Sequence, residues 1–129
     1  MKKTILMIED NEQNRYLATF LLEKRGYAVV SAADGLQGIE LAEKIVPAMI
    51  LLDIQLPGMD GYAVARTLRK NPALRHIPIV AVTSYAMEGD REKTIAAGCT
   101  GYIEKPIDPD TFVTEIERHM KPPEGMETP

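Results

Sequence analysis

Cysteine occurs once in the 129 residues, at Cys99, and histidine twice, at His76 and His119. A single cysteine excludes an internal disulfide and fits a reducing cytoplasm. Next to Gly98 it reads as a small apolar filler in preference to a redox thiol. The spacing of the two histidines offers no metal pair, and both are expected to be exposed. Long apolar runs are missing: none approaches the ~20 residues of a membrane-spanning helix. The run Thr4–Ile8 behind Met1-Lys2-Lys3 is too short for a signal-peptide core, and no small-residue cleavage site follows it. Positive charge is in deficit, with 15 Lys and Arg against 19 Asp and Glu and a net charge of −4. That balance argues against general nucleic-acid binding, which needs a basic face. The chain has no internal repeat and no low-complexity block before its Pro-rich end. Neither nucleic acid nor membrane is therefore an expected partner, and the expected compartment is the cytoplasm.

What is present is a regular alternation. At this length the chain fits one domain, burying roughly two thirds of its unfolded surface. Short apolar runs at Thr4–Ile8, Ala48–Leu52, Ile77–Val82 and Gly101–Glu104, with Ala28–Ala32, read as five strands. Between them lie helical stretches. Helix one runs from Asn11 to Arg25, with Asn14, Leu17, Ala18 and Leu21 on one face and Gly26 as its stop. Helix two is Gly35–Val46, ended by Pro47. Helix three is capped by Asp60 and presents Gly61, Val64, Ala65 and Leu68 inward, with Asn71-Pro72 ending it. Helix four is about Met87–Ala97, poor in core residues, with Gly98 as its cap. Helix five is Asp108–Met120, with Asp108-Pro109 as N-cap and first helical residue and Phe112, Ile116 and Met120 inward. Five β/α units with short connections imply a doubly wound α/β fold with a parallel sheet.

The polar residues at the strand ends carry the chemistry. Glu9 and Asp10 follow the first run, Asp53 the third, Thr83 the fourth, and Lys105, with Pro106 behind it, the fifth. In open α/β sheets, ligand sites form outside the carboxyl ends of the strands. Two adjacent acids repel one another, and a hard divalent cation with oxygen ligands would relieve that. Alternation along the strand points Asp10 and Glu9 to opposite sides, with Asp10 the direct ligand and Glu9 acting through water. Capping of helix one by Asp10 or Asn11 is the competing explanation, and on this pair the two stand level. Asp53 ends the most apolar strand, where a carboxylate can attack phosphorus and form an aspartyl-phosphate. A turn cap is its alternative, although Asp60 already caps helix three. Thr83 offers a hydroxyl and Lys105 a point charge for carboxylate and phosphate. Singly, both are ordinary for a strand end and a surface. Lys105–Pro106 is a candidate cis peptide.

Taken together, these residues resemble the receiver domain of two-component response regulators. Asp10 to Asp53 spans 43 residues, Asp53 to Thr83 a further 30, and Thr83 to Lys105 a further 22. The loop Asp53-Ile-Gln-Leu-Pro-Gly-Met-Asp-Gly61 and the pair Lys105-Pro106 are characteristic. The stretch Val82–Asp90 looks most like DivK-type single-domain receivers and hybrid-kinase receivers. The resemblance covers about residues 3–121, giving a receiver domain at 1–121 and a flexible tail at 122–129. It implies a flavodoxin-like (βα)5 sheet in strand order 2-1-3-4-5. It implies Asp53 as phosphoacceptor, and Asp10, Asp53 and the Gln55 backbone carbonyl on Mg²⁺, with Mn²⁺ able to substitute. It further implies a switch in which Thr83 moves toward the phosphoryl group and Tyr102 turns inward behind it. Gln55 and Tyr85, two residues beyond Asp53 and Thr83, would line the path of attacking water, with bulky Tyr85 slowing loss of the phosphoryl group. Glu9 stands where many receivers have Asp, and Ser84 where a small Ala is usual. Asn14 and Arg15 fall where the family has part of a kinase-docking surface; the simpler reading is a solvated helix face.

The implied function is that of a single-domain response regulator, with no effector domain after residue 121. A histidine kinase or phosphotransfer protein would supply the phosphoryl group. Helix four, strand five and helix five would then meet a downstream protein. The chain would not be an enzyme, beyond slow autophosphorylation and autodephosphorylation. An aspartate-nucleophile phosphatase would need an acid at the position of Gln55, which cannot donate and recover a proton. A pseudo-receiver would be expected to lack Asp53 or Lys105. A flavin binder would need donors in place of the acids after strand one.

Overall fold

The computed structural model describes residues 2–84 and 89–120. Its strands are β1 (Thr4–Ile8), β2 (Ala28–Ala32), β3 (Met49–Asp53), β4 (Ile79–Thr83) and β5 (Gly101–Glu104). Its helices are α1 (Glu12–Lys24), α2 (Gly35–Ile45), α3 (Gly61–Lys70), α4 (Asp90–Ala96) and α5 (Phe112–Met120). All strand pairs are parallel and the order is β2-β1-β3-β4-β5, the flavodoxin-like arrangement expected from the sequence.

Side-chain alternation divides the core between the two faces of the sheet. Ile5, Met7, Met49, Leu51, Val80 and Ile103 pack with Ala18 and Leu22 of α1 and Phe112 and Ile116 of α5. Leu6, Ile8, Ile50, Leu52, Ile79 and Ala81 pack with Ala42 of α2 and Val64, Ala65 and Leu68 of α3. β3 and β4 are buried at every residue, because helices cover both their faces. The same parity carries past the strand ends. Residues 9, 53 and 105 continue the α1/α5 side, whereas Thr83 continues the α2/α3 side.

Local chemistry fixes the helix ends. Asn11, Asp34 and Asp60 cap α1, α2 and α3, each accepting from the backbone N–H three residues on. Gly98 follows α4 at φ 107°, with the Cys99 N–H bonded to the Thr94 carbonyl in the left-handed stop expected of it.

β3 is shifted by one residue from the expected Ala48–Leu52, so that Asp53 is its last residue, and the structure departs from expectation more clearly in four further places. Pro72–Leu74 forms a 3-10 turn that buries Leu74, where the sequence reads only as the end of a helix. β4 begins at Ile79, not Ile77. α5 begins at Phe112, because Asp108 first closes a turn: its side chain accepts from the Asp110 N–H and its carbonyl from Thr111 and Phe112. His119 is half-buried rather than exposed, since its imidazole covers Gly101, where a Cβ would overlap the ring. His76 is exposed as expected. Met87 and Glu88, the expected start of helix four, and residues 122–129, the expected tail, lie outside the described residues.

Arg69, near the end of α3, links several of these pieces. Its guanidinium donates to the carbonyls of Gly98 (2.7 Å), Ile77 (2.7 Å), Leu74 (3.0 Å) and Arg75 (3.3 Å). Beside it Cys99 is buried, and burial pushes its thiol up to about 11, in keeping with a filler and against a reactive thiolate.

Candidate functional site

Register brings the strand ends level. Ile8 pairs with Leu52, Asp53 with Val82, and Thr83 with Glu104, so residues 9, 53, 83 and 105 meet at one edge of the sheet. The Glu9 N–H donates to the Ala32 carbonyl and the Lys105 N–H to the Thr83 carbonyl (2.8 Å), extending the sheet pattern by one residue at each side. Gly61 packs directly on the Asp53–Ile54 backbone: a Cβ there would stand 2.7 Å from the Asp53 carbonyl oxygen. This close approach explains the glycine, which the sequence marks as part of a helix face and as the end of the characteristic loop.

Shared parity selects which acid lies inside. Glu9 and Asp53 are buried, at 4% and 3% exposure, whereas Asp10 is exposed. The Lys105 ammonium lies between the two buried carboxylates, 2.9 Å from Glu9 Oε1 and 3.2 Å from Asp53 Oδ2. Asp53 Oδ1 accepts from the Gln55 N–H (2.9 Å) and Glu9 Oε2 from the Asn11 N–H (3.2 Å). Asp53 thus makes a turn bond as well as an ion pair. Asn11 takes the cap of α1, which leaves Asp10 outside that role. Lys105–Pro106 is a cis peptide.

One cation does not balance this many acids. Burial, and then the neighbouring Asp53, push the Glu9 carboxyl up to about 7, against the opposing pull of Lys105. Burial disfavours the Lys105 ammonium, but Glu9 and Asp53 outweigh it and raise its pKa above the ordinary lysine value. One oxygen from each of Glu9, Asp10 and Asp53 lies within 4.8 Å of the others. A negatively charged, oxygen-only donor set of this size suits a hard dication such as Mg²⁺.

The remaining residues ring this centre. Thr83 is buried at the end of β4. The side-chain oxygen of Gln55 accepts from the Ser84 N–H (3.3 Å), tying the loop after β3 to the end of β4. Tyr102 is half-buried on β5, beside Ala81 in register. Tyr85 lies outside the described residues. Arg15 is half-buried and donates to the Glu9 carbonyl at 2.7 Å, so it is not a solvated helix face. No local signal marks that contact, because it spans six residues across a strand end and a helix start.

This fold and this edge define a class. The chain belongs to the family described as "Response regulator receiver domain", which matches residues 5–117. It is 41% identical over 120 residues to the polar-differentiation response regulator DivK of Brucella anthropi, covering 93% of this chain and 98% of that protein. A putative response regulator from Chloroflexus aurantiacus superposes with a TM-score of 0.88 at 26% identity, covering 93% of this chain and 98% of that one. The receiver domain of the sensor histidine kinase PA1611 from Pseudomonas aeruginosa superposes with a TM-score of 0.85 at 35% identity, over the same shares. Its crystal structure has a magnesium ion coordinated in the active-site cleft. Among the described residues, no helix is long and apolar enough to cross a membrane.

Proposed function

We propose that this receiver accepts a phosphoryl group on Asp53 from a histidine kinase or phosphotransfer protein, in a Mg²⁺-dependent reaction, and signals by changing its protein–protein contacts. The observation that carries the reading is Lys105 held between buried Glu9 and Asp53, with the exposed Asp10 carboxylate close by. Asp10, Asp53 and the Gln55 carbonyl would hold the metal directly and Glu9 through water, with Mn²⁺ accepted in place of Mg²⁺. When bound, the ion supplies positive charge to the transferring group and orients it.

The protein's own residues do the rest. Asp53 Oδ2 attacks phosphorus as the P–N bond to the donor imidazole breaks, the electron pair leaving with the imidazole. The Gln55 N–H holds Oδ1, so the carboxylate presents its other oxygen. Lys105 exchanges its contact with Asp53 Oδ2 for one with a phosphoryl oxygen, and the Thr83 hydroxyl donates to another. Tyr102 follows Thr83 inward. Gln55 offers no acid for fast hydrolysis, so the group is held for a time, with Gln55 and Tyr85 tuning its loss.

The changed surface is α4, β5 and α5, and the downstream partner a protein. A cleft of about 320 Å³ between β5 and α5 supports this, lined by Tyr102, Pro106 and Phe112 and edged by Glu104, Asp108 and Glu115. The deciding experiment is labelling by acetyl phosphate. Wild type should be labelled with Mg²⁺ and not with EDTA, and Asp53→Asn should not be labelled at all. Unlabelled wild type, or a labelled Asp53→Asn, would overturn the reading.

A further inference from the structure

We propose that Arg15 is a positioning residue for the metal site, acting through the Glu9 carbonyl; this rests on the reading of that site as a Mg²⁺ site. Asp10 is exposed, and its carboxylate has no hydrogen-bond partner among the described residues. With no partner to hold the side chain, the backbone alone sets the point from which it reaches the site. The residue that precedes Asp10 is held at both ends: the Glu9 N–H by the Ala32 carbonyl (2.9 Å), the Glu9 carbonyl by Arg15 Nη1 (2.7 Å). The peptide that follows is held through Asn11, whose N–H meets Glu9 Oε2 and whose carbonyl accepts from the Arg15 N–H (3.0 Å). Arg15 thus bonds the turn on either side of Asp10, once with its side chain and once with its backbone. The side-chain bond is the one that substitution removes.

A charge argument and a positioning argument make opposite forecasts. Arg15 is a cation bonded to the backbone of Glu9, one of the three acids. If its charge were all that mattered, removing it would relieve repulsion of a dication and tighten Mg²⁺ binding. If it positions Asp10, removing it loosens the ligand and weakens binding. Groups that orient a metal ligand typically change affinity by about 10–100-fold when removed. Lysine keeps the charge but not the fork and reach of the guanidinium.

The test is Mg²⁺ titration of the whole chain by calorimetry, for wild type, Arg15→Ala and Arg15→Lys. The dissociation constant should rise about tenfold or more in Arg15→Ala and by a smaller factor in Arg15→Lys. Labelling by acetyl phosphate should fall at limiting Mg²⁺ and recover at saturating Mg²⁺. A constant within twofold of wild type, or tighter binding in Arg15→Ala, overturns the assignment. So does a loss of labelling that saturating Mg²⁺ leaves unrepaired. Wild type that binds no Mg²⁺ would instead overturn the reading of the site itself, which separates the two failures.

Discussion

Glu9 and Asp53 are two buried carboxylates that share one lysine, and the cost of that arrangement falls on Glu9. In the unfolded chain Glu9 loses its proton near its ordinary value of 4.5, and in the fold near about 7. Between these values the folded state binds the extra proton, so stability falls as pH rises through the window. The contribution is fully present below the lower value and gone above the upper one. Glu9→Gln removes the slope. In metal-free urea unfolding, the stability of the variant relative to wild type should increase from about pH 5 to about pH 8; a constant difference would refute the assignment. The sequence pointed to the acidic pair and to its lysine, and alternation put Glu9 and Asp10 on opposite sides. It did not show that Glu9 is the buried member. That follows from residue 9 sharing its parity with residues 53 and 105, which needs the register between strands. The contact of Arg15 with Glu9 was not legible, because its partner is a backbone carbonyl, and every residue presents one.

At the scale of elements, the far end of the fold depends on Arg69. Its guanidinium satisfies carbonyls from the 3-10 turn, the approach to β4 and the end of α4, three pieces with little sequence pattern of their own. Burial lowers its pKa, and those carbonyls are its compensation. Arg69→Leu keeps the apolar stem and leaves the carbonyls of Gly98 and Ile77 without their donor, whereas that of Leu74 keeps the Ile77 N–H. The expected loss is about 2–4 kcal/mol, measured by urea unfolding, since a buried group left unsatisfied costs about 1–3 kcal/mol. A loss below about 0.5 kcal/mol would mean that water replaces the guanidinium there. The strands and the Asp60 cap of α3 were legible because their signals are local: apolar runs, and an Asp three residues before the N–H it accepts from. Pro72–Leu74 and the late start of α5 were not, because each is settled by long-range contact or by a turn that competes with the helix.

For the molecule as a whole, five β/α units imply the parallel sheet, the resemblance to receivers implies its strand order, and the level strand ends turn scattered residues into one site. Any ligand that binds only the folded chain stabilises it. At Mg²⁺ ten times above its dissociation constant, linkage adds about 1.4 kcal/mol, several degrees in melting temperature. Asp10→Asn and Asp53→Asn should each reduce that increment in calorimetric melts with and without Mg²⁺. An equal increment in all three proteins would place the ion elsewhere. Finally, the buried Cys99 bears on how motion in this protein can be followed. With its one native thiol buried and pushed up to about 11, the folded surface is silent toward thiol reagents. A cysteine placed on α4 would then carry a label at a single position, and reaction at Cys99 itself would count openings of the core rather than events at the surface.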